Sequence, residues 1–334
     1  MKLLVTGAAG FIGARFVEAC QKKSYSVISV DESSYFSSRT QHRTIQFGEI
    51  VDRGILFDWL NKHRPALDGI VHLGACTDTT EMDKQYLTRM NLEYSQSIWT
   101  YASQNKIPLV YASSAATYGD GSLGYDDSES LISSLKPLNP YGESKQLFDL
   151  WVLNQEKEGV KPPSWSAFKF FNVYGFGERH KEKMASVVLH AFDQIRKTGK
   201  VRLFKSHRSD IAHGYQKRDF IFVQDVIDVL FFALGKPISR GIYNLGTGQA
   251  RAFLDLVRPV FSTLKKQETI EFIDTPLAIR DRYQYFTEAK MDRLRTEGYT
   301  KAFTSLEVGV SKYVQELLKE DSLSSSYQKP ATQK

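Results

Sequence analysis

A chain of 334 residues, 42% of them hydrophobic, can bury the core of one large domain or of two sharing an interface. Its 44 basic and 38 acidic residues leave a formal charge of +6 without a long basic run or a basic–aromatic repeat, which argues against a nucleic-acid partner. Two cysteines, Cys20 and Cys76, are too few for a disulfide framework and match no metal-ligand spacing, so a reducing compartment and no metal are expected.

In chain order, KLLVTG reads as a buried strand, FIGARFVEAC as a helix and YSVISVD as a second strand, together a βαβ unit. The first run is too short to span a membrane and carries no cleavage-like site, so a cytoplasmic protein with no membrane partner is expected. DGIVHLG at 68–74, IPLVYASS at 107–114 and WSAFKFFNVYG from 165 read as further strands, with helices from Lys84 to Gln104 and from near Tyr141. The alternation predicts an α/β doubly wound parallel (Rossmann) sheet. RDFIFVQDVIDVL at 218–230 reads as a return to that sheet. The expected division is a dinucleotide-binding domain of 1–171 plus 218–245, a smaller α/β substrate lobe of 172–217 plus 246–319, and a disordered tail of 320–334.

Gly7, Gly10 and Gly13 in TGAAGFIG stand between the first strand and first helix, where glycine lets backbone amides approach a pyrophosphate. Asp31 ends the second strand, placed to accept from adenosine ribose hydroxyls and to repel a 2′-phosphate, which favours NAD. Arg39 and Arg53 are cations within reach of such a phosphate, so NADP stays open. In YGESK, Tyr141 and Lys145 lie four residues apart on one helical face, where an ammonium lowers a phenol's pKa towards that of a usable base. Ser114, after Ser113 at a strand end, offers a hydroxyl to a substrate oxygen.

Taken together, the Gly-rich turn, the strand-end serine, YxxxK, NVYG at 172–175, RDFIFVQDV at 218–226 and NLGTG at 244–248 resemble the extended, nucleotide-sugar branch of the short-chain dehydrogenase/reductase superfamily. In SSAATYG no acid follows the serine, which disfavours dehydration and leaves epimerisation or ketoreduction. GACTDTTEMD at 74–83, NVYGFGERHKEKMASV at 172–187 and RYQYFTEAK at 282–290 are similar to the ADP-glyceromanno-heptose 6-epimerase family. That resemblance implies transient oxidation at C6 of an ADP-linked heptose by tightly held NADP (NAD as the alternative), in lipopolysaccharide inner-core precursor synthesis by a homo-oligomer.

The resemblance also implies roles. Tyr141 and Lys181 become the two acid/bases, Lys145 tunes Tyr141, and Ser114 holds the reacting oxygen. Phe11, Ile12, Asp31, Glu32, Arg53, Gly74, Ala75, Cys76, Thr77, Asn91 and Val173 fall at cofactor positions. Asn172, Lys183, His190, Phe204, Arg218 and Tyr283 fall at substrate positions. For Lys181 to act as a base, burial beside Lys145 and the nicotinamide cation would have to lower its pKa; otherwise it pairs with the substrate diphosphate. Departures from the family occur at Glu32, Leu73, Lys183 and Lys205–His207, and the segment SHRSDIAHGYQ is longer. The alternatives are a 4-epimerase or 4-ketoreductase of another nucleotide sugar, or a non-catalytic binder.

Overall fold

The computed structural model describes residues 1–235, 238, 240–280 and 283–327. Its strands are β1 (Lys2–Thr6), β2 (Ser26–Asp31), β3 (Glu49–Asp52), β4 (Gly69–His72), β5 (Leu109–Ser114), β6 (Trp165–Phe170), β7 (Asn172–Tyr174), β8 (Val201–Phe204), β9 (Lys217–Phe222), β10 (Gly241–Leu245), β11 (Ala250–Ala252) and β12 (Ile270–Ile273). Seven form one parallel sheet in the order β10-β6-β5-β4-β1-β2-β3. Side chains alternate between its faces: Leu3, Val5, Val71 and Val110 enter one core, and Leu4, Ile70, Leu109 and Tyr111 the other. The first core is covered by the helices Phe11–Lys22 and Val223–Gly235, the second by Leu56–His63, Tyr94–Gln104 and Pro140–Lys157. Both faces being covered explains why the strands read as near-continuous apolar runs.

RDFIFVQDVIDVL does not return to this sheet as expected. Its strand half, β9, lies between β7 and β11 in a separate three-stranded sheet, while its helical half packs on the first helix, with Phe231 stacked 4.7 Å from Phe16. The return is made by β10. A third core gathers the helices Val187–Thr198, Phe253–Thr263 and Leu306–Tyr327 beside β8, which pairs with β12. That last helix also corrects the expected tail: 320–327 are helical, and 328–334 lie outside the described residues.

Among the described residues no helix is long and apolar enough to cross a membrane, and no three His, Cys, Asp or Glu side chains group as a metal site.

Candidate active site

The site is built at the carboxyl ends of β1, β2, β4 and β5, the edge where open α/β sheets bind ligands. The Gly-rich turn leaves β1 with Gly7 at φ +68°, and a Cβ there would lie 2.6 Å from Gly74 N. A Cβ on Gly13 would stand 2.0 Å from Gly7 O, so the helix approaches the strand only as glycine. At Gly10 a Cβ would meet little beyond Gly7 O at 3.0 Å, leaving the backbone of the helix start open to a ligand. Phe11 and Ile12 follow in its first turn. This cradle suits a dinucleotide pyrophosphate.

At the end of β2, Asp31 Oδ2 accepts from Ala9 N at 3.0 Å and Oδ1 from Glu32 N at 2.9 Å, while burial pushes its pKa up. Glu32 pairs with Arg53 at 2.7 Å. Arg39 donates to Ala9 O and stacks over Tyr35 at 4.0 Å. The two arginines thus flank the carboxylates of Asp31 and Glu32.

Against the Gly-rich turn, the loop Gly74, Ala75, Cys76, Thr77 is braced from below. Gly74 N donates to Thr6 Oγ1 at 3.2 Å and Cys76 N to Asn91 Oδ1 at 2.8 Å. Asn91 Nδ2 donates to Cys76 O and to Ser144 Oγ, each at 3.0 Å. The expected continuous helix from Lys84 to Gln104 is broken by a widened turn over Thr88–Glu93, which holds the buried Asn91 against the catalytic helix.

The helix Pro140–Lys157 starts with Pro140 in its first turn and the Asn139 side chain accepting from Gly142 N at 2.8 Å. A Cβ on Gly142 would lie 2.8 Å from Ala116 O, so the helix start closes tightly on the turn after Ser114. Tyr141 and Lys145 are both buried, and the Ser114 hydroxyl faces the Tyr141 phenol. Ser114 Oγ accepts from Ala116 N at 3.1 Å. The lowering of the Tyr141 pKa expected from Lys145 is not found: burial pushes the phenol up, opposed by Ser114 and reinforced by Cys76 and Asp149. Burial also pushes Lys145 down to about 8, opposed by Asp149 and assisted by Lys169.

Asn172 is exposed and Val173 half-buried where the chain crosses from β6 to the small sheet. The basic turn beyond it divides sharply. Lys181 Nζ lies 5.3 Å from the Phe11 ring centroid, on the dinucleotide turn, and 3.6 Å from the buried Glu178. Its side chain is 24% exposed and its nearest charge is a carboxylate, not the second lysine expected. Glu182 then adopts φ +46°, ψ −116°, a left-handed kink. Lys183 turns instead into a shallow cavity of about 340 Å³ lined by Arg179, Glu182, Leu189, His190 and Asp193. Arg179 reaches Glu320 at 2.8 Å and Asp193 at 3.3 Å, a structural tie to the last helix. His180 contacts Gln41 at 2.8 Å and, buried beside Arg39 and His42, is pushed down to about 3.

Phe204, Arg218 and Tyr283 meet in a third group. The Arg218 guanidinium lies 5.4 Å from the Tyr283 ring and 5.7 Å from Phe253, and Phe204 makes an edge contact with Tyr283. Arg218 donates to the carbonyls of Lys217 and Gln284, and does not pair with Asp219. Gln284 in turn donates to Gly119 O, linking this group to the SSAATYG turn. Arg282, which opens RYQYFTEAK, lies outside the described residues.

The sequence reading missed Glu178, Asp149 and Lys169. Asp149 repeats the Tyr141–Lys145 spacing once more along the helix, and Lys169 interrupts the apolar run WSAFKFF; both were visible signals.

The profile of the NAD dependent epimerase/dehydratase family matches residues 3–246. An ADP-L-glycero-D-manno-heptose-6-epimerase of Fusobacterium nucleatum is 41% identical over 332 residues, covering 96% of this chain and 99% of the relative. One from Nitratidesulfovibrio vulgaris is 42% identical over 319 residues, covering 94% and 97%. The crystal structure of the Helicobacter pylori ADP-L-glycero-D-manno-heptose-6-epimerase superposes with a TM-score of 0.76 at 26% identity, covering 95% of this chain and 96% of that one. A UDP-N-acetylglucosamine 4-epimerase of Methanobrevibacter ruminantium, at 19% identity and a TM-score of 0.80, shares the fold. The chain belongs to the NAD dependent epimerase/dehydratase family, in the company of ADP-L-glycero-D-manno-heptose-6-epimerases over nearly its whole length.

Proposed function

We propose that the chain inverts C6 of ADP-D-glycero-β-D-manno-heptose to the L-glycero epimer, supplying a lipopolysaccharide inner-core precursor. The observation that carries this reading is that two protonatable groups from different elements border the candidate site: Tyr141 beside Ser114, and Lys181 over Phe11 of the Gly-rich turn. Two epimers direct the C6 hydroxyl differently, and two groups can serve them in turn.

The Gly7–Gly13 turn, Asp31 and Asn91-braced Cys76 loop would hold a nicotinamide dinucleotide, with Lys145 oriented towards its ribose. When bound, that group supplies two-electron redox chemistry at C6. Ser114 positions the reacting oxygen; Tyr141 takes or returns its proton for one epimer and Lys181 for the other. Glu178 keeps Lys181 at hand between turnovers. Arg218, stacked on Tyr283, presents a planar fork suited to a diphosphate, and Lys183 and His190 line the outer cavity, where they would meet the sugar. NADP is the proposed cofactor, with Arg39 facing the 2′-phosphate; the Glu32–Arg53 pair competes for that phosphate and leaves NAD usable. A homo-oligomer in the cytoplasm completes this reading.

The test is incubation of the purified protein with ADP-D-glycero-β-D-manno-heptose, with C6 configuration followed by NMR and the retained cofactor identified by mass spectrometry. Conversion to a mixture of C6 epimers without net consumption of cofactor is expected. A cofactor-loaded protein that leaves C6 unchanged sinks the proposal.

A further inference from the structure

Beneath Tyr141 and Lys145 the same helix carries Asp149, four residues beyond Lys145 and eight beyond Tyr141, hence on the same face. Its side chain is fully buried, as is that of Lys169 in the middle of β6. Lys169 Nζ donates to Asp149 Oδ2 at 2.7 Å and to Thr117 Oγ1 at 2.8 Å. Ser113 Oγ donates to Asp149 Oδ2 at 2.7 Å, and the Tyr111 hydroxyl to Oδ1 at 3.3 Å. Thr117 Oγ1 then donates to the carbonyl of Ser114 at 2.9 Å. One carboxylate is therefore tied to β5, to β6 and, through Thr117, to the backbone of the substrate-facing serine.

For stability alone an apolar pair of similar volume would serve as well as a buried ion pair. What such a pair cannot do is act on Lys145, which feels Asp149 and Lys169 with opposite signs. Resting on the reading of Tyr141 as an acid/base, we propose that Asp149 and Lys169 are a positioning pair whose balanced charges keep Lys145 the local cation that a Tyr141 phenolate needs. The two side chains hold the ground beneath Lys145 at net zero charge.

Of the other ionisable groups facing this ground, the His72 imidazole, the Tyr111 and Tyr118 phenols and the Cys76 thiol are held in their neutral forms near pH 7. His72 on β4, buried between Thr6 Oγ1 at 2.6 Å and Ser95 Oγ at 2.9 Å, is pushed down to about 3. Burial pushes the phenols of Tyr111 and Tyr118 well up, with Asp149 adding to both. The Cys76 thiol is raised by burial as well. Glu129 and Glu156 reach Tyr111, and Asp127 reaches Tyr118. Lys145 is left as the poised proton, with Asp149 and Lys169 as its charged neighbours.

The sign of the effect tests this. Asp149→Asn leaves Lys169 unbalanced, which lowers the titrations of Lys145 and Tyr141; Lys169→Met leaves Asp149 unbalanced, which raises them. Each shift is expected to be about one pH unit. The double variant removes both charges and returns the titration to its starting position. The readout is the tyrosinate absorbance of the full chain without substrate, taken as the difference from Tyr141→Phe in each background, alongside the pH profile of kcat. Shifts of equal sign, or a double variant that stays displaced, overturn the proposal and leave a packing role. Should Asp149→Asn fail to fold, Lys169→Met and the double variant carry the same test: an upward shift that the double variant cancels upholds the pair, and anything else overturns it. Failure of C6 epimerisation leaves these titrations measurable, so the two readings fail separately.

Discussion

The wall of Ser114, Tyr141 and Lys145 and the turn that carries Lys181 meet the same sheet edge on different terms. In the wall, Tyr141 and Lys145 are buried and Ser114 is half-buried, between β5 and a long helix whose first turn touches Ala116. In the turn, Lys181 is a quarter exposed, held by an ion pair of 3.6 Å and its contact with the Phe11 ring, and followed by a residue in a left-handed kink. A site assembled from one rigid and one loosely held half has its chemistry prearranged on the first and its access governed by the second.

The sharpest way to break this comparison is at the wall. Tyr141→Phe should lower kcat by about 10³-fold with its fold and cofactor content unchanged, measured by NMR of C6 turnover and mass spectrometry. On the turn, Lys181→Met should lower kcat by about 10²-fold, whereas Lys183→Met, in the outer cavity, should act mainly on KM. The reverse ranking of the two lysines would show that the kink faces the wrong one inward.

A smaller effect separates the halves by acid. Burial holds His72 under the wall at about 3, and His42 and His180 under the turn at about 4 and about 3, against 6.5 in the unfolded chain. The unfolded state alone takes up these protons as pH falls below about 6.5, so stability declines from there to about 4. The ring nitrogens of His42 are buried without a hydrogen-bond partner. His42→Phe should therefore flatten that decline without lowering stability at pH 7, read by urea unfolding across pH. Smallest of all, Glu182→Gly removes a side chain from a backbone conformation that suits glycine. It should stabilise the fold by about 1 kcal/mol with kcat nearly unchanged, and a loss of stability would contradict the kink.

What could be read beforehand was local. Glycines at three-residue spacing and a Tyr four residues before a Lys each declare a turn or a helical face, and the structure places both as read. What could not be read was partnership across the chain. An apolar run such as RDFIFV announces a strand but not its neighbours, and β9 joined β7 and β11. Nothing in HKEKM announces that one backbone angle at Glu182 sends Lys181 and Lys183 to different surfaces. Arg218 was read only as a substrate position; its rings, Phe253 and Tyr283, lie far along the sequence.

Asp219 itself explains one of the marks by which the chain was placed. Buried within β9, it accepts from Thr247 N and Oγ1, each at 2.7 Å, from Gly248 N at 2.9 Å and from Ala289 N at 3.0 Å. A Cβ on Gly246 would stand 2.5 Å from its Oδ2. NLGTG is thus the socket into which a carboxylate plugs, fastening β9, the strand of the small sheet that carries Arg218, to the end of β10 in the main sheet. Such a fastening is indifferent to the sugar: positions like Lys183 and Lys205 can drift towards new ligands while the socket keeps its shape, so the motif records the lineage of the scaffold rather than its choice of substrate.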